Sequence, residues 1–200
     1  MANADTVAIV SAVATAVAAS VAVLYPVVTS WAGRRNRPNV HIDRERIHDF
    51  SENAGNGRYS IRLPIANKPG RKAAKDVEVY LEELTKEGAE ANTPGKFVPM
   101  RLKWCHGDSP TCPSIPESSY RLLDLAEVNI ERVRKGIPRS WEICGEVRPL
   151  SSPYQDSGVY TLKLSISADD MPTRNEIVRI SILNNPEPND PVAKVEVITA

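Results

Sequence analysis

Tyr160-Thr-Leu162-Lys-Leu164-Ser-Ile166-Ser167 sets an apolar residue at every second position, with Thr161, Lys163, Ser165 and Ser167 between them. Successive side chains of an extended chain point to opposite faces. The stretch therefore predicts a strand with one face in a core and one in water. The same period recurs outward from it. Tyr59, Ile61, Leu63 and Ile65 alternate with Ser60, Arg62, Pro64 and Ala66, and Val77, Val79 and Leu81 alternate with Glu78, Tyr80 and Glu82. Val40–Arg44, Phe97–Trp104, Tyr120–Val128, Trp141–Val147, Ile177–Ile182 and Val195–Ile198 add shorter or less regular apolar runs.

Turn-forming residues separate these runs: Asn53-Ala-Gly-Asn-Gly57, Lys68-Pro-Gly70, Thr93-Pro-Gly95, Ser109-Pro110, Ser151-Ser-Pro153, Asp169-Asp170 and Asn184-Asn-Pro186. Short alternating strands at regular spacing predict a mainly β chain, an antiparallel β-sandwich of about 7–8 strands. Helical periodicity is weak after Pro38. Leu125–Arg134 is the one ambiguous segment, with Asp124 or Asn129 available as a cap.

Two short motifs sharpen this class. Asp156-Ser-Gly158-Val-Tyr160 resembles the D-x-G-x-Y corner of immunoglobulin-like domains. The resemblance implies that the Tyr160 hydroxyl bonds back to the backbone. Antibody-type domains carry a Cys two residues later, where this chain has Leu162. Asn67-Lys-Pro-Gly70-Arg-Lys-Ala73-Ala-Lys-Asp-Val77-Glu-Val79 is similar to a hairpin of bacterial Ig-like domains, which implies that Gly70 makes the turn and Ala73 packs where the hairpin narrows. Together the motifs cover a small part of the chain, and the superfamily hosts binding, scaffolding and structural roles.

The N-terminus has a different character. Val7–Ala32 contains no charged residue, and Arg34, Arg35 and Arg37 follow it. A helix of that length reaches ~39 Å, against a hydrocarbon core of about 30 Å. The expected organisation is a tail at 1–6, a transmembrane helix at 7–32, a basic linker at 33–38 and an Ig-like domain at 39–200. Tyr25 and Trp31 would anchor the helix at the interface, and Pro26 would kink it or mark its exit from the bilayer. The arginines would hold the C-terminal domain at the cytoplasmic face of a cell membrane. A secretory signal peptide lacks support, because no basic residue precedes the apolar run. Small residues at Ala8, Ala12, Ala16 and Ser20, and at Ala14, Ala18 and Ala22, would allow helix self-association.

Net charge is zero, from 25 basic and 25 acidic residues. That balance gives no electrostatic basis for nucleic-acid binding. Reactive side chains concentrate in Trp104-Cys105-His106-Gly-Asp108-Ser-Pro-Thr-Cys112. With Cys144, this segment offers up to four zinc donors, but it lacks a C-x2-C knuckle, so no metal or other cofactor is expected. Cys105 and His106 have no third group to orient them, so no catalytic role is expected. Instead the long loop 104–119 is the candidate binding loop, with Trp104, Cys105, His106, Asp108 and Cys112 as its candidate residues. Trp104 and Trp141 are expected in the core.

The expected function is a membrane-anchored, non-catalytic interaction or sensing module, with the lipid bilayer and a protein as partners. One alternative is an extracytoplasmic envelope domain stapled by a Cys105–Cys112 disulfide. The other is a membrane effector that clusters through its helix.

Overall fold

The computed structural model describes residues 4–50, 52–53, 57–88, 99–105, 109–146, 154–184, 186 and 191–198. They divide into two units, Met1–Arg37 and Pro38–Ala200.

The first unit is a helix, α1 (Ala4–Arg35), which continues through Pro26. Pro26 has no N–H to give the turn before it. Just beyond, Thr29 Oγ1 donates to the carbonyls of Tyr25 (2.8 Å) and Pro26 (3.1 Å). Val23, Leu24, Tyr25, Val27, Val28 and Trp31 are all exposed. The Arg35 guanidinium lies 5.2 Å from the Trp31 ring centroid, one turn away. The side chains of Arg34, Ala8, Ala12, Ala14 and Ala16 lie outside the described residues. Among the described residues, no helix is long and apolar enough to cross a membrane. The expected span 7–32 is therefore not found. Unbroken side-chain description covers only 17–31, shorter than the ~20 residues a span needs.

The second unit is mainly β. Its strands are β1 (Val40–Ile42), β2 (Glu52–Asn53), β3 (Arg58–Asn67), β4 (Ala74–Lys86), β5 (Met100–Arg101), β6 (Lys103–Trp104), β7 (Cys112–Ile115), β8 (Tyr120–Asn129), β9 (Trp141–Ile143), β10 (Tyr154–Gln155), β11 (Gly158–Ala168), β12 (Met171–Ile182) and β13 (Ala193–Ile198). A 3-10 turn covers Arg44–Phe50, and a short helix, α2, covers Ile130–Arg134. All strand pairs are antiparallel and form two sheets. One runs β1-β3-β8-β9-β10, with β2 added on β3 and β6 on β8; the other runs β13-β12-β11-β4-β5, with β7 added on β4. Two antiparallel sheets around one apolar cluster are the arrangement a β-sandwich requires.

The inward residues are those of the period-two pattern. Ile61, Leu63 and Ile65 of β3, Val77, Val79 and Leu81 of β4, Leu162, Leu164 and Ile166 of β11, and Val178, Ile180 and Ile182 of β12 join one buried cluster. Each such side chain contributes roughly 1.5–3 kcal/mol on leaving water. Trp104 and Trp141 are buried in the same cluster.

Several expectations change. The two-residue strands β2, β5, β6 and β10 are too short to produce a periodic signal. Arg44 belongs to the 3-10 turn rather than to β1. The ambiguous 125–134 segment is strand up to Asn129 and helix after it, with Asn129 Oδ1 accepting from Arg132 N at 2.9 Å as the cap. Within the loop 104–119, Cys112–Ile115 forms β7 on β4. In the hairpin, Gly70 takes φ +70° as a turn glycine, but Ala73 is exposed and Ala74 is the buried alanine. The reason is Asp76, at φ +49°. Its left-handed backbone breaks the alternation without shifting the β4–β7 register, and Ala74 and Val77 are both buried. His41 of β1 is half-buried: its Nδ1 has no hydrogen-bond partner among the described residues, and burial lowers its pKa. The side chain of His48 lies outside the described residues.

Candidate functional site

The segment after β4 crosses between the sheets. β5 pairs with β4 in one sheet, β6 pairs with β8 in the other, and β7 returns to β4. Leu102 is the crossing point. It is fully buried, its N–H donates to Val79 O at 2.9 Å, and it bridges to Gly145. A strand that switches sheets closes a sandwich side at its crossing point and leaves a wedge beyond it.

That wedge is a cleft of about 660 Å³. Trp104 and Cys105 line it from β6, Cys112 from β7, and Tyr120, Arg121 and Leu122 from β8. The β6 side is fixed by Cys105 N–H donating to Leu122 O at 2.9 Å. Trp104 and Cys112 are nearly inaccessible to solvent (5% and 6%). Trp104 Nε1 is buried and, among the described residues, has no hydrogen-bond partner. The cleft that Trp104 helps to line is largely apolar.

The structure therefore brings together three of the five candidate loop residues: Trp104, Cys105 and Cys112. His106 and Asp108 lie outside the described residues. Cys144 is held elsewhere: its N–H donates to Leu125 O at 3.0 Å and its carbonyl accepts from Lys103 N. Cys105, Cys112 and Cys144 are not joined by disulfides. Among the described residues, no three His, Cys, Asp or Glu side chains are placed to hold a metal ion. Burial pushes the Cys112 thiol upward. Burial, then the nearby Glu127, Asp124 and Glu142 carboxylates, pushes Cys144 to about 12. Both effects keep a thiol protonated, the opposite of what nucleophilic chemistry needs. The arrangement suits holding an apolar group.

Tyr120, Arg121 and Leu122 were not legible as site residues. They sit on β8, far in sequence from β6. Only the β6–β8 register, Trp104 opposite Leu123, brings them to the cleft.

At the start of β11 a second constellation is structural. Tyr160 Oη donates to Asp156 O at 2.8 Å, and Trp141 Nε1 donates to the same oxygen at 2.9 Å. The two rings meet edge to face with centroids 4.8 Å apart. Gly158 has φ +148°, a conformation that residues with a Cβ rarely adopt, so this position favours glycine. Compared with known proteins, the chain matches no family model, no curated protein and no solved structure.

Proposed function

We propose that the chain is a membrane-anchored, non-catalytic interaction module, in which an Ig-like β domain captures a partner group in the Trp104–Cys112 cleft. The carrying observation is the open, largely apolar cleft itself, lined from three strands by Trp104, Cys105, Cys112, Tyr120, Arg121 and Leu122. An apolar partner side chain fills the cleft. The Tyr160–Asp156 bond and the Trp141–Tyr160 contact support the Ig-like assignment. Anchoring rests on the uncharged 7–32 segment, the exposed apolar side chains of α1 and the basic residues after it.

A photo-crosslinker replacing Ser109 in the full-length chain in cells tests the binding reading. A discrete product is expected, and it disappears when Ser114→Trp fills the cleft. Products unchanged by Ser114→Trp remove the cleft from the proposal. Carbonate extraction tests the anchor: the chain stays with the membrane pellet, and release into the supernatant sinks this part. Thiol labelling of Cys105 in intact cells places the domain, since a cytoplasmic domain is protected until lysis.

A further inference from the structure

A second cleft, at the other end of β8, gathers arginines from three separate segments. Arg58 begins β3, Arg132 lies in α2, and Arg139 precedes β9; with Glu127, Trp141 and Glu142 they line a recess of about 370 Å³. The fold builds this convergence deliberately. Asn129 N–H donates to Ser140 O at 2.7 Å, which folds the 130–140 segment back on the end of β8. Arg132 Nη2 donates to Pro138 O, so its guanidinium is held against the loop. Arg139 sits at φ +57°, an uncommon conformation for a residue with a Cβ. It is held there by its N–H donating to Asp156 Oδ1 at 2.8 Å. Backbone strain of this kind persists where the surroundings fix it, and it clusters at ligand sites.

The charges are unevenly matched. Arg58 pairs with Glu127 at 2.8 Å. Among the described residues, the guanidinium groups of Arg132 and Arg139 have no carboxylate partner, and Arg132 Nε is buried without an acceptor. A guanidinium offers a planar fork that matches phosphate oxygens. Glu142 stands directly opposite Glu127 across β8 and β9. That carboxylate accepts hydrogen bonds from hydroxyl groups, and it opposes the approach of polyanions. Trp141 is almost wholly buried, at 1% exposed, so it offers no ring face for stacking a base.

We propose that this cleft binds a phosphomonoester carried on a hydroxylated carbon skeleton, with Arg132 and Arg139 on the phosphate and Glu142 on a neighbouring hydroxyl. The site is independent of the Trp104 cleft. The volume suits a small ligand of this class.

The test is calorimetric titration of the full-length chain, reconstituted in phosphatidylcholine vesicles, with ribose 5-phosphate. Saturable binding is expected. Arg139→Gln changes an exposed side chain that the fold does not need, and it should weaken binding about tenfold or more, as should Arg132→Gln. Glu142→Gln should narrow the preference for ribose 5-phosphate over inorganic phosphate. Repeating the titration in vesicles that also carry phosphatidylinositol 4-phosphate separates the sources. Weakened ribose 5-phosphate binding assigns the cleft to a lipid headgroup, and unchanged binding assigns it to a soluble ligand. The proposal is overturned by no saturable binding, by equal binding of sulfate at matched ionic strength, or by an Arg139→Gln chain that folds and binds unchanged.

Discussion

Asn67 and Tyr160 are two polar side chains whose hydrogen bonds can be followed atom by atom. Asn67 is buried. Its Oδ1 accepts from Asn39 N at 3.1 Å, and its Nδ2 donates to Lys72 O at 2.8 Å and to Ile115 O at 3.2 Å. One amide thus ties β1, the hairpin turn and β7 together. Asn67→Ala leaves a backbone donor and two carbonyls without partners, each costing roughly 1–3 kcal/mol. A loss of about 3 kcal/mol or more in denaturant unfolding is expected; a loss under about 1 kcal/mol would mean that the amide is dispensable. Tyr160→Phe is milder, because Asp156 O keeps the Trp141 N–H. It should cost about 1 kcal/mol, read as a Tm fall of roughly 2–4 °C. No change in Tm would remove the corner bond from the account of stability.

Elements differ in how well their neighbours protect them. β4 and β11 pair along most of their length, whereas β13 ends the six-stranded sheet with one edge unpaired among the described residues. Its buried residues are Ala193 and Val195, and its exposed residues Lys194 and Glu196 form an ion pair at 2.8 Å. Charges on an edge strand oppose pairing with another chain more than they stabilise this one. The double variant Lys194→Val, Glu196→Val should leave the unfolding midpoint within roughly 1 kcal/mol of the original. It should also make the protein associate as concentration rises. Size-exclusion chromatography over a dilution series checks this, and a monomer-sized peak at every concentration for both proteins would show that the edge charges have no such role. α1 is an element of the opposite kind, with Val23, Leu24, Tyr25, Val27, Val28 and Trp31 all exposed, so its surroundings decide its stability more than its own residues do.

Across the whole molecule, burial of titratable groups sets the pH window of the fold. The folded state keeps Cys144 protonated up to about 12, against an ordinary value of 9.0. Burial, then the Asp156 carboxylate, likewise raises Tyr160 from 10.0 to about 12. Above the ordinary values the unfolded chain has lost protons that the folded chain retains, so stability falls as pH rises towards 12. His41 acts at the other limb. Its lowered pKa means that the unfolded chain takes up a proton first, so its share is present above 6.5 and is lost as pH falls. Denaturant unfolding across pH should show both limbs, and Cys144→Ala should flatten the alkaline one. An alkaline limb identical in Cys144→Ala would assign the loss to other groups.

The sequence by itself determined the β class, the inward residues of the long strands and the contrast between α1 and the rest. Period-two alternation, as in 160–167, and an uncharged segment, as in 7–32, are local properties that need no partner to be read. It also named Trp104, Cys105 and Cys112, because reactive and aromatic residues lay close along one segment. Only the tertiary structure decided what surrounds them. Leu102 must cross between sheets, and β6 must take its register on β8, before Arg121 and Leu122 can face Trp104. The arginine cleft was illegible for the same reason: Arg58 is distant in sequence from Arg132 and Arg139, and the three meet only when the 130–140 segment folds back on the end of β8. Ala74 replaced Ala73 in the core because one left-handed residue, Asp76, broke the alternation. Period and composition are local, whereas register and sheet crossing depend on the whole chain, and the sites lie where those non-local choices meet.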